Sequence, residues 1–152
     1  MDENQELLLR MVTANSRIDA LYDTVAKYKK MRCSTFTLLY ALSDGQPHSQ
    51  KDICTRFLVP KTTLNTTIKD CQREGYLELK RVPGTRREMT VQLTPAGKVY
   101  SDRMLADLVQ AENRAMEETT KQYGADFIDA LECFARRLEA HFHTEILDAQ
   151  DA

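Results

Sequence analysis

From Lys61 to Lys69 the chain reads Lys-Thr-Thr-Leu-Asn-Thr-Thr-Ile-Lys, a run of short hydrogen-bonding side chains bounded by cations. On a helix, Leu64, Ile68 and Cys71 form an inner stripe at steps of four and three, and the remaining surface carries Lys61, Thr62, Thr63, Asn65, Thr66 and Lys69. That surface has the chemistry for reading base edges. Asparagine bonds adenine bidentately, a threonine methyl meets thymine, and lysine reaches guanine or phosphate. A solvated amphipathic helix also has a polar outer face, so the run alone does not decide. A second cluster tips the balance: Lys80, Arg81, Arg86 and Arg87 surround the turn Val82-Pro83-Gly84-Thr85, with Glu78 and Glu88 as the nearby acids. A cationic hairpin just after such a helix can straddle the phosphate backbone and insert an arginine into the minor groove, where negative potential is focused.

Other chemistry is thinner. Cys33, Cys54, Cys71 and Cys133 contain no CxxC pair, so neither a zinc ribbon nor a dithiol redox site is expected. Cys33 follows Arg32 at an expected helix start, where a thiolate would be stabilised, and it is the candidate for a thiol-sensing alternative. His141 and His143 lie two apart, point in different directions on a helix and make no metal site with Cys133. The chain has no phosphate-binding glycine loop, nucleophile elbow or HExxH, which leaves no basis for an enzyme or a cofactor.

Charge is distributed in the same sense. The net charge of the 152 residues is -2, yet Lys51 to Arg103 holds 11 lysines and arginines against 6 carboxylates, and Met104 to Ala152 holds 4 against 11. A basic middle beside an acidic tail suggests that one region meets a polyanion and the rest does something else. With 42% apolar residues, one folded unit over 1–152 is expected. No run of about 18 apolar residues occurs and the N-terminus is acidic, so a soluble, cytoplasmic protein without membrane contact is expected.

Stepping along the chain, Leu7, Met11, Ala14, Ile18, Leu21, Val25 and Tyr28 repeat at steps of four and three, the pattern of a long helix with a seam for another chain or for its own domain. A second helix is expected from the N-cap candidate Ser34 through Leu42, and a third from Ser49. Pro60 opens the helix that carries Leu64, Ile68 and Cys71, and Gly75 suits its C-terminal cap. Tyr76 to Arg81 and Met89 to Leu93 alternate as a hairpin. Thr94-Pro95 opens a long helix with Met104, Leu108, Ala111 and Ala115 on one side. Gly124 interrupts it, and a last helix carries Phe127, Leu131, Phe134 and Leu138. The expected fold is mainly α with a small β-hairpin wing: a winged helix-turn-helix over 34–95, with helical dimerisation segments at 1–30 and 98–152.

The order of these elements resembles the MarR (multiple antibiotic resistance regulator) family of winged-helix proteins. The resemblance is carried by Gln50-Lys51-Asp52-Ile53, Arg73-Glu74-Gly75-Tyr76, and Arg86-Arg87 through Val91-Gln92-Leu93-Thr94-Pro95-Ala96-Gly97. Thr85 stands where that family commonly has an aspartate before the paired arginines, leaving the wing without its usual acidic brace. The resemblance implies a homodimeric, sequence-specific binder of double-stranded DNA at a pseudo-palindromic operator, acting as a repressor. Lys61, Thr62, Thr63, Asn65, Thr66 and Lys69 would read bases, and Arg81, Arg86 and Arg87 the minor groove. Lys30 and Lys51, with Lys27 and Lys29, would touch phosphates. A small aromatic ligand could enter a crevice lined by Phe36, Tyr40, Met104 and Leu108, although core packing explains the same residues. A winged-helix protein adaptor is the rival reading from another class.

Overall fold

The computed structural model describes residues 2–82, 84–85 and 89–148. In chain order these form α1 (Glu3–Tyr28), α2 (Cys33–Ala41), β1 (His48–Ser49), α3 (Gln50–Phe57), α4 (Lys61–Arg73), β2 (Leu77–Arg81), β3 (Met89–Leu93), α5 (Pro95–Tyr123) and α6 (Asp126–Phe142), with a π-helical segment His143–Leu147. The strands form one antiparallel sheet in the order β1-β3-β2. The expected hairpin is therefore joined by a third, two-residue strand, His48 opposite Val91 and Ser49 opposite Thr90. Residues up to Asp107 form one compact unit and those from Leu108 a second, the division falling inside α5.

The first unit is organised around Leu38, Leu42, Ile53, Leu64, Ile68, Cys71, Leu77 and Val91, all buried. These are the inner residues of α2, α3, α4 and the sheet, so the core forms where helical and strand periodicities converge. Its helix ends follow local chemistry. Ser49 caps α3 by accepting from the Asp52 amide at 3.0 Å. Ser34 does not cap α2: the cap position is Arg32, two residues earlier, whose carbonyl receives the Phe36 amide. The preceding turn explains the difference. Lys30 takes a left-handed conformation (φ 55°), Lys30 and Met31 donate to Lys27 and Ala26, and the chain turns directly into α2.

Thr94 is the junction of the unit. Its hydroxyl accepts from the Gly97 amide at 3.0 Å, capping α5, and donates to the Gly75 carbonyl at 2.7 Å. Its amide donates to the Tyr76 carbonyl. One residue thus ties the end of α4, the end of β3 and the start of α5. Gly97 sits so close to the Tyr76 carbonyl that a Cβ there would overlap it. Beside this point Tyr76 and Tyr100 stack nearly parallel, ring centroids 4.2 Å apart.

In the second unit, Gly124 (φ 76°) ends α5 and its amide bonds back to Thr120. The amphipathic helix α6 buries none of its residues. Leu131 and Phe142 are about half exposed, as is Ile146 beyond the helix. In the first unit, α1 behaves alike: Ala26 is its one buried residue, and Leu7, Ile18 and Leu21 are more than half exposed. No helix of the described residues is long and apolar enough to cross a membrane.

Candidate nucleic-acid interface

Helix α4 is held from below and at both ends. Leu64, Thr67, Ile68 and Cys71 are buried, and Thr67 satisfies its hydroxyl on the Thr63 carbonyl at 2.9 Å. Pro60 occupies the cap position, and Leu58 (φ 51°) makes the turn from α3. At the other end Gly75 is left-handed (φ 79°), its amide bonds to Gln72 and that of Tyr76 to Cys71, the double closure of a Schellman cap. The flank is gripped by charge. Asp70 accepts from Arg32 at 2.7 Å and from Arg73 at 3.1 Å, and the Arg32 guanidinium holds its carboxyl below the ordinary carboxylate value.

This frame leaves Lys61, Thr62, Thr63, Thr66 and Lys69 exposed. Asn65 is half-buried rather than fully outward. The Thr66 hydroxyl donates to the Thr62 carbonyl at 3.1 Å, which turns its oxygen lone pairs and methyl into the groups on offer. Between α3, the start of α4 and the start of β3 lies an open groove of about 420 Å³, lined by Ser49, Gln50, Lys51, Cys54, Lys61 and Met89. Lys51 and Lys61 place two cations along it.

The wing rises from five registered pairs, Leu77 opposite Leu93 through Arg81 opposite Met89. At its tip the Thr85 amide and hydroxyl both donate to the Val82 carbonyl, and Gly84 is left-handed (φ 80°). Thr85 therefore closes the turn through its own amide and hydroxyl. Arg86, Arg87 and Glu88, like Pro83, lie outside the described residues. Arg81 is exposed. Lys80 pairs with Glu78 at 3.1 Å, and Gln92 bonds the same carboxylate. Lys80 and then Gln92 lower the Glu78 carboxyl from its usual value.

Two expectations are corrected. Lys29 is spent on Asp107 at 2.6 Å with its side chain 11% exposed, so it does not project as a phosphate contact, whereas Lys27, Lys30 and Lys51 are exposed. The Cys33 thiol donates to Asp23 at 3.4 Å, and this bond raises its value, opposite to the stabilised thiolate expected from Arg32. Phe36 and Tyr40 line a cavity with residues of α1 and α3. His141 and His143 pair with different carboxylates, Glu145 and Asp148.

Sequence reading did not find Asp70 with Arg32, because their pairing spans 38 positions and has no local pattern. The role of Thr94 was half visible, as a cap before proline. Its bond to Gly75 depends on tertiary contact.

Helix-turn-helix, charged hairpin and long flanking helices define a winged-helix protein, and comparison with known proteins narrows the class. The MarR family model matches residues 34–88. The HTH-type transcriptional repressor NicR of Pseudomonas putida is 27% identical over 92 residues, 60% of this chain, and the match spans 58% of NicR's length. NMB1585, a MarR family regulator from Neisseria meningitidis, superposes with a TM-score of 0.72 at 20% identity, over 98% of this chain and 99% of that one. Overoxidized AbfR bound to DNA, a protein of Staphylococcus epidermidis, gives 0.60 at 16% identity, over 90% and 98%. Residues 34–88 thus match the MarR family model, and the chain has the fold of the solved MarR family regulators.

Proposed function

We propose that the chain is a sequence-specific double-stranded DNA-binding regulator, working as a homodimer that represses transcription and is released by a small ligand. One observation carries the reading: α4 is fixed on three sides and turns Lys61, Thr62, Thr63, Thr66 and Lys69 to solvent beside a wing bearing Arg81. Such a helix fits the major groove, where its threonines and the half-buried Asn65 read base edges at its N-terminal half. Arg81, Arg86 and Arg87 are assigned to the neighbouring minor groove, and Lys30 and Lys51 to phosphates. Repression is the role of NicR, and DNA is the partner of AbfR in its complex; both are consistent with this reading.

The uncovered apolar faces of α1 and α6 support a second copy of the chain, since patches of that kind on a monomer mark an interface. Two recognition helices would then meet half-sites about 10 base pairs apart. The test is a selection of bound sequences from random duplexes, followed by titration of the selected site. Arg86→Ala or Arg87→Ala should weaken all duplexes alike and reduce the salt slope by about one each. Asn65→Ala should cost about 1–3 kcal/mol at particular bases. A protein adaptor would select no sequence and show no salt-sensitive duplex binding.

A further inference from the structure

The two faces of the wing carry their cations differently. Strand alternation and register put Leu77, Leu79 and Arg81 on one face of the sheet with Leu93, Val91 and Met89, and put Glu78 and Lys80 on the other with Gln92 and Thr90. The first face is the inner one. Leu77 and Val91 are buried in the core, and Leu79 and Leu93 pack against it. Met89, opposite Arg81, is a wall of the groove that Lys51 and Lys61 also line. Arg81 therefore stands on the face that continues the surface assigned to DNA. It is exposed, and among the described residues it forms no ion pair.

Lys80, on the outer face, is tied to a carboxylate. Its Nζ lies 3.1 Å from Glu78 Oε1, and the Gln92 amide, directly across the ladder from Glu78, donates to the same oxygen at 2.5 Å. Glu78 is thus anchored from its own strand and from the neighbouring one, so it cannot leave Lys80 without giving up a cross-strand bond. Lys80 and then Gln92 lower its carboxyl from the usual value, which keeps it ionised at neutral pH. The side chains of Lys80 and Glu78 are 57% and 42% exposed, and a pair so open to water adds little to stability. Its consequence lies in charge. Lys80 and Glu78 sum to zero on the outer face, whereas Arg81 leaves one positive charge on the groove face.

We propose that Glu78 is a specificity-determining residue: by holding Lys80 it silences the outer face of the wing towards phosphate, so that of the two strand cations only Arg81 is offered to DNA. Attraction to phosphate is blind to sequence, so a second free cation would strengthen binding to every duplex without adding discrimination. Neutralising it widens the ratio of selected to unselected binding, the quantity that matters among many competing sites. This inference rests on the DNA-binding reading.

Fluorescence anisotropy of the full chain, across a salt series, compares a duplex selected by the protein with an unrelated duplex of the same length. Glu78→Gln keeps the size of the side chain and its capacity to bond Gln92 while removing the charge. It should steepen the salt slope on the unrelated duplex by about one, raise affinity for that duplex severalfold at low salt and narrow the preference for the selected site. Lys80→Ala alone should leave the slope unchanged, and combined with Glu78→Gln it should restore the wild-type slope. That reversal separates release of Lys80 from mere loss of a repelling carboxylate or loosening of the sheet. A slope unaffected by Glu78→Gln, a steeper slope that persists in the double variant, or a slope reduced by Lys80→Ala alone as much as by Arg81→Ala would overturn the proposal, while salt-sensitive binding by the wild type would leave the DNA reading standing. Absence of such binding by the wild type would overturn both.

Discussion

Gly97 is the position at which one atom decides the geometry of the whole reader. Its missing Cβ lets α5 start against the Tyr76 carbonyl, directly beneath the joint between α4 and β2. Gly97→Ala must push these segments apart, at a cost of about 2–3 kcal/mol as for other overpacked sites. Urea denaturation measures this, and a loss below about 0.5 kcal/mol would contradict the close approach. The sequence announced a glycine two residues after Thr94-Pro95, within the stretch that resembles the family. It did not say what the glycine avoids. Cys33 is the opposite case, where the local signal misled: Arg32 and a helix start point to a thiolate, and Asp23, ten residues earlier, raises the thiol instead by accepting its hydrogen bond.

At the scale of elements, the helices and the hairpin were legible because each carries a complete local code: periodicity, a cap, a proline or a glycine. Helix α4 was legible at both ends through Pro60 and Gly75. Strand β1 was not, since two residues show no alternation and pair only because β3 lies beside them. The ion pairs that hold elements together were also hidden, and they give an acid dependence whose sign is fixed. Arg32 lowers the Asp70 carboxyl, the Gln46 amide and His48 lower Asp44, and Lys80 and Gln92 lower Glu78. A folded value below the unfolded one means that the stabilisation is fully present above the ordinary carboxylate value, about 4, and is lost as pH falls through the lowered folded value. The melting temperature should therefore drop on acidification from about pH 5 towards 3. Asp70→Asn should lower it at neutral pH and flatten part of that drop. An acid slope unchanged by the substitution would remove Asp70 from the account.

For the molecule as a whole, the uneven distribution of charge and the apolar stripes at both ends were readable from composition and periodicity. The closure of α4, the groove beside Lys51 and the aromatic cavity were not, because each joins residues from separate elements. The uncovered faces of α1 and α6 lead to a prediction at this scale. Sedimentation should give twice the chain mass at micromolar concentration, and Leu131→Glu, which places a charge on the open face of α6, should yield monomer with weakened duplex binding. A wild-type monomer at that concentration would contradict the homodimer.

The central claim, that α4 and the wing read duplex DNA, is tested most directly by fluorescence anisotropy of a duplex selected by the protein, titrated across a salt series. The account predicts a linear fall of log affinity with log salt, of slope about 0.9 per phosphate neutralised, and a shallower slope for Arg81→Ala. Absence of salt-sensitive duplex binding at low ionic strength would contradict it.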